Sequence, residues 1–166
     1  MILAFDTWYY DNQAKTVCLG FVNWEDAEPQ EIFTEILDSP AAYEPGAFYK
    51  RELPCIISLL KQIDLQLVSV IVVDGFVVLD DAGKPGLGGR LYEYLDQKIP
   101  VIGVAKTNFA QNIANKRAVV RGQSSKPLFI TALGMDLDAA ADHVKNMHGD
   151  YRLPTLLKEL DRLTKS

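Results

Sequence analysis

Apolar and polar positions in the first quarter of the chain follow strand-like patterns. Residues 2–9 (ILAFDTWY) and 15–24 (KTVCLGFVNW) have strand composition, and Asp11-Asn12-Gln13 between them is turn chemistry. Residues 31–37 (EIFTEIL) alternate with period two after the turn at Glu28-Pro29, which predicts a third strand and an antiparallel meander. Residues 40–46 (PAAYEPG) read as a loop, and residues 47–63 (AFYKRELPCIISLLKQI) as a helix. Pro54 inside that run implies either a kink or a true start near Glu52 or Leu53, because proline suits the first helical turn and disrupts later ones.

Two short apolar runs follow, each ending in a residue with chemistry to offer. Residues 70–73 (VIVV) stop at Asp74-Gly75, and residues 101–105 (VIGVA) stop at Lys106. Between them a glycine-rich loop over 80–89 leads into a short helix over 90–96, so the order strand, helix, strand predicts a crossover βαβ unit with parallel strands. The glycines match neither GxxxxGK[ST] nor GxGxxG, so they read as a flexible connection. Residues 108–116 form a short helix or a loop. Strands are expected at 118–121 and 128–132 around a turn at 122–127, and a helix over 136–147 is capped by Asp136 or Asp138. An amphipathic helix over 154–164 closes the chain behind Pro154. The fold class is α/β: an antiparallel meander followed by parallel βαβ strands, in a single domain over 1–166.

Composition narrows the classes. With 48% hydrophobic and 23% charged residues the chain is expected to be globular, with no segment long enough to span a membrane, no signal-peptide pattern and a cytoplasmic location. Cys18 and Cys55 have no metal-site spacing and read as reduced core thiols. A net charge of −5 argues against a broadly basic nucleic-acid binder but leaves room for a local groove. The densest basic cluster, Lys116, Arg117, Arg121 and Lys126, can contact phosphates or form a solvated hairpin face. His143 and His148 are read as surface or interface residues.

Three acidic residues stand where local preference does not ask for them: Asp6 inside the first strand, Glu52 at a helix start and Asp74 at the end of the central parallel strand. Read singly, Glu52 is a helix-start charge and the aspartates are turn or capping residues. Read together, a meander joined to βαβ brings them towards one place, where unpaired carboxylates repel unless a cation intervenes. Mg²⁺, with Mn²⁺ as a substitute, suits such hard oxygen ligands and phosphodiester chemistry. Lys106 at the neighbouring strand end is then placed to meet a phosphate or the attacking water.

FD at Phe5-Asp6, RE-P at Arg51, Glu52 and Pro54, VDG at Val73 to Gly75, IGVAK ending at Lys106, PLFI from Pro127 and YRLP from Tyr151 occur in the order and at the spacing of endonuclease V. The chain resembles a compact, diverged member of that family over nearly its whole length. The resemblance implies a ribonuclease H-like fold and metal-dependent hydrolysis of a phosphodiester near a deaminated base, inosine, in DNA or RNA. It implies Asp6, Glu52 and Asp74 as metal-binding carboxylates, Lys106 as the active-site lysine, and Ala42-Tyr43-Glu44-Pro45 as a strand-separating wedge. Tyr43, Gly75, Lys116, Arg117 and Arg121 are the nucleic-acid-binding candidates. Residues 76–84 (FVVLDDAGK) lack the histidine that the family carries there, and no histidine stands near Leu133-Gly134; Asp136 or Asp138 is an alternative acidic ligand or simply a helix cap. The second reading is a non-catalytic nucleic-acid-binding or scaffold protein on the same fold.

Overall fold

The computed structural model describes residues 1–38 and 49–166. Strands β1 (Ile2–Tyr10) and β2 (Gln13–Phe21) form an antiparallel hairpin in register from Ile2↔Phe21 to Tyr10↔Gln13. Asp11 and Asn12 take φ of 45° and 60°, the left-handed pair that a two-residue hairpin turn requires. The turn is thus shorter than expected: β2 begins at Gln13, before Lys15, and ends at Phe21, short of Trp24. Strand β3 (Glu31–Asp38) pairs antiparallel with β2 and completes the meander.

Strand β4 (Val70–Asp74) runs parallel to β1, and β5 (Val101–Ala105) parallel to β4. Two further strands, β6 (Arg117–Val119) and β7 (Leu128–Leu133), pair antiparallel with each other, and β7 also pairs with β5. The result is one seven-stranded sheet in the order β3-β2-β1-β4-β5-β7-β6. β1 lies at the middle of the change from antiparallel to parallel pairing, beside the crossover strands.

Helices cover both faces. Helix α1 (Tyr49–Leu60) starts before Glu52 and keeps Pro54 inside, where the ring costs the ladder one donor near the N-terminal end. Helix α2 (Leu87–Tyr94) starts three residues earlier than the glycine-rich reading expected, with Gly88 and Gly89 in its first turn. Their role is close packing: a Cβ on Gly88 would lie 2.5 Å from the Val77 side chain. Helices α1 and α2 bury Ile56, Leu59, Leu87 and Leu91 against Leu3, Phe5, Ile71 and Val73. On the opposite face, α3 (Leu137–Lys145) and α4 (Thr155–Thr164) bury Ala140, Val144, Leu156 and Leu160 against Ala4, Val17, Val72 and Ile102. Successive strand residues point to opposite faces, so this division is the period-two pattern of β1 and β4 made visible. Residues 108–116 form a loop, without a helix. Both cysteines are buried free thiols, and among the described residues no helix is long and apolar enough to cross a membrane.

Candidate functional site

The last matched pair between β1 and β4 is Phe5↔Val73, so Asp6 and Asp74 occupy the next step, where β4 ends and β1 runs on to Tyr10. Both are on the α4 side, in phase with Ala4 and Val72. There they open into a small cleft of about 40 Å³ with Lys106, Leu157, Leu160 and Asp161 among its walls. Asp161 is a fourth carboxylate that the sequence reading missed. It follows Leu157 by one helical turn and adjoins Leu160, so it sits at the edge of the apolar stripe that docks α4. An acid in that position was the available signal.

Glu52 approaches from α1 on the other face of the sheet and is buried at 9% exposure. The Thr7 hydroxyl favours the charged form of Glu52, and the Thr7 and Thr16 hydroxyls are 3.1 Å apart. Behind it the Arg51 guanidinium lies 3.6 Å from the centre of the Tyr9 ring. Asp6 accepts the Thr7 backbone N–H at 2.9 Å.

Electrostatic cost is concentrated here. Burial, and then the Asp74 charge, pushes the Asp6 carboxyl up to about 7. Burial, and then Asp74 and Asp6, pushes Glu52 up to about 8. Burial also raises Asp74, against the pull of the Lys106 ammonium, while Asp161 adds to the repulsion. Carboxylates from four elements therefore feel one another across one region. They do not close a ready cage: among the described residues no group of three or more His, Cys, Asp and Glu side chains is placed to hold one ion. The donor chemistry nevertheless suits a hard divalent cation at the Asp6 and Asp74 pair, since Mg²⁺ commonly takes one or two carboxylates and completes its shell with water and phosphate.

A wider cleft of about 420 Å³ adjoins the first and shares Asp74 and Lys106 with it. Its walls are Gly75, Phe76 and the segment after β5, ending at Phe109, which is 37% exposed and 6.1 Å from the Phe76 ring. Gly103 makes the junction possible, because a Cβ there would lie 2.4 Å from the Gly75 carbonyl oxygen. The acidic insertion shapes this wall. Asp81 accepts the N–H groups of Ile113 and Ala114, both at 2.8 Å, and Asn112, fully buried, donates to the Val78 carbonyl at 2.8 Å.

The other candidates are dispersed. Tyr43 lies outside the described residues. Lys116 bonds Asn108 and the Phe109 carbonyl beside the wider cleft, whereas Arg117 pairs with Asp138 at 2.7 Å. Arg121 corrects the expectation of a phosphate contact: it is 5% exposed and donates to the carbonyls of Lys145, Met147, Gly149, Tyr151 and Arg152. The hairpin turn faces the loop after α3, and that loop takes up its donors. Asp136 caps α3 by accepting from Ala139 at 2.9 Å, so neither it nor Asp138 joins the carboxylates. His143 stacks on Trp24, and His148 bonds the Thr155 hydroxyl at 2.9 Å.

A seven-stranded mixed sheet in this order, with helices on both faces, is a ribonuclease H-like fold. The chain belongs to the endonuclease V family, whose model matches residues 1–122. Endonuclease V of Ciona intestinalis, solved with a 24mer DNA containing an inosine followed by a ribo-adenosine, superposes with a TM-score of 0.80 at 19% identity, over 99% of this chain and 84% of that one. The catalytic domain of human endonuclease V gives 0.73 at 22% identity, over 99% and 80%. The Bacillus subtilis endonuclease V gives 0.70 at 22% identity, over 99% and 78%. At these identities the likeness establishes the shared fold. None of the curated proteins matches the chain.

Proposed function

We propose that this chain is a metal-dependent endonuclease that hydrolyses a phosphodiester next to a deaminated base, inosine, in DNA or RNA. The observation that carries the reading is the pair of adjoining clefts, one acidic and one part-aromatic, joined at Asp74 and Lys106. A cation held by Asp6 and Asp74 would supply charge neutralisation and an activated water. The chain's own groups supply the rest. Lys106 Nζ offers three donors to a phosphate oxygen beside Asp74. Phe109 gives an exposed face on which a base can stack, a contact worth roughly 1–3 kcal/mol. Val72, Val104, Leu157 and Leu160 line the acidic cleft with apolar surface, which strengthens charge interactions there. Asp161 adds negative potential from the α4 side of the cleft, favouring a cation over a free phosphate.

The test is incubation with inosine-containing oligonucleotides, single- and double-stranded, DNA and RNA, with Mg²⁺ or Mn²⁺. Cleavage near inosine is expected; none in any strand context would remove the assignment. The second reading, a non-catalytic nucleic-acid-binding or scaffold protein, draws on the lack, among the described residues, of three His, Cys, Asp or Glu side chains placed to hold one ion, and on residues 76–84, where Asp80 and Asp81 stand in a histidine-free loop. A metal-induced rise in Tm that vanishes in Asp74→Ala would weigh against it.

A further inference from the structure

We propose that Arg152 is a positioning residue for Lys106, and that Arg121 holds Arg152 in place, so that two arginines brace the lysine from behind. The proposal rests on the reading of Lys106 as a phosphate-facing group. β5 ends at Ala105 and β7 begins at Leu128, so the carbonyls of Lys106 and Pro127 lie just past the β5·β7 ladder. The Arg152 guanidinium supplies a donor to both: one nitrogen, Nη2, reaches the Lys106 carbonyl at 2.5 Å and the Pro127 carbonyl at 2.8 Å. A lysine side chain has four rotatable bonds, so the place of its ammonium depends on a fixed backbone beneath it.

Arg121 fixes the fixer. From the far end of the β6 side it donates Nη1 to the Tyr151 carbonyl at 2.5 Å and to the Arg152 carbonyl at 3.3 Å, and Nη2 to Met147 at 2.6 Å. The segment so gripped runs directly into Leu153 and α4, the elements that carry the apolar wall and Asp161 into the cleft. The same chain of contacts thus sets the two sides of the cleft relative to each other. A guanidinium suits both positions because its donors are fixed in a rigid plane, so fewer degrees of freedom are lost for each carbonyl it reaches.

The test uses Arg152→Ala and, as a variant that keeps an amide donor and preserves packing, Arg152→Gln. Lysines are labelled by reductive ¹³C-methylation, and the Lys106 resonance is assigned by its loss in Lys106→Arg. We expect the Lys106 resonance to move in both variants and kcat on an inosine-containing oligonucleotide to fall about 100-fold with KM little changed, the effect of a misplacement near 1 Å. Guanidinium ion at low concentration should restore resonance and kcat of Arg152→Ala together. A Lys106 resonance that stays at its wild-type position in folded Arg152→Gln, or a kcat loss that guanidinium does not recover, would overturn the brace. Wild-type protein that cleaves nothing would remove the nuclease reading, and the resonance alone would then decide whether Arg152 positions Lys106.

Discussion

Asp6 and Asp81 are both aspartates within a few residues of a cleft wall, and they are treated in opposite ways. Asp81 is exposed and accepts two backbone N–H groups, which hold its carboxyl below the usual range. Asp6 is partly buried beside another carboxylate, and burial with Asp74 drives it up to about 7. One acid ties two loops together; the other is held in a conflict that folding alone does not need. Local conflicts that a fold tolerates are where function is expected. The contrast therefore marks the notch between β1 and β4 as the working part and the Asp80-Asp81 loop as its support.

The largest expected effect comes from neutralising the conflict. Asp74→Asn should lower cleavage by on the order of a thousandfold, while the metal-free protein becomes more stable at pH 8. If Asp74→Asn lost stability instead, the carboxylates would not be repelling one another. Circular-dichroism melting and a gel cleavage assay on the same preparation decide it.

The pH dependence sharpens the same point. Asp6 and Glu52 bind protons more tightly folded, at about 7 and about 8, than at their ordinary values of 3.8 and 4.5. A folded state that holds more protons is favoured at low pH, so metal-free stability should be full below about pH 4 as far as these groups are concerned. It should fall between there and about pH 8, by on the order of a few kcal/mol. Mg²⁺ should recover the loss at pH 8 and have little effect at pH 5. Urea titrations at the two pH values measure both statements; a metal effect equal at both would break the link between the raised carboxylates and the cation.

Arg121 and Lys116 extend the comparison to cations. Arg121→Met leaves several buried carbonyls without donors and should cost about 3 kcal/mol. Lys116→Ala should change stability by no more than about 0.5 kcal/mol, as surface changes do, and show its effect in binding single-stranded oligonucleotides. Equal destabilisation of the two would mean that Arg121 is less committed to its carbonyls than the structure places it.

This pair also shows what sequence can and cannot tell. The opening meander, the parallel crossover and the notch that brings Asp6 to Asp74 follow from strand-like patterns and from where β-branched runs stop, so they were legible. Lys106 was legible because it ends such a run. Arg121 was not, since a basic hairpin reads as exposed until the loop after α3 is seen to fold over it. Asp161 was hidden because one acid on an amphipathic helix looks like its solvated face, and Arg152 because its partners are backbone carbonyls, which no side-chain pattern announces. The start of α2 was misplaced for a related reason: Gly88 and Gly89 signal a loop locally, but the close approach of Val77 selects them within a helix.

The smallest expected effect lies in the supporting loop. Asp81→Asn keeps the shape of the side chain and removes the charge that strengthens its two hydrogen bonds to Ile113 and Ala114. Because the carboxylate sits at the surface, global stability should hardly move. The Ile113 and Ala114 amides should exchange with solvent faster, while those of β4 and β5 keep their protection. The wall ending at Phe109 is connected to that loop through Asn112, whose N–H donates to the Phe109 carbonyl at 3.1 Å and whose side chain is fixed by Val78. A loosened latch should therefore weaken selection for inosine over unmodified bases more than it slows cleavage. Unchanged exchange at Ile113 and Ala114 would show that the backbone of this loop holds itself, and that Asp81 contributes nothing to the wall.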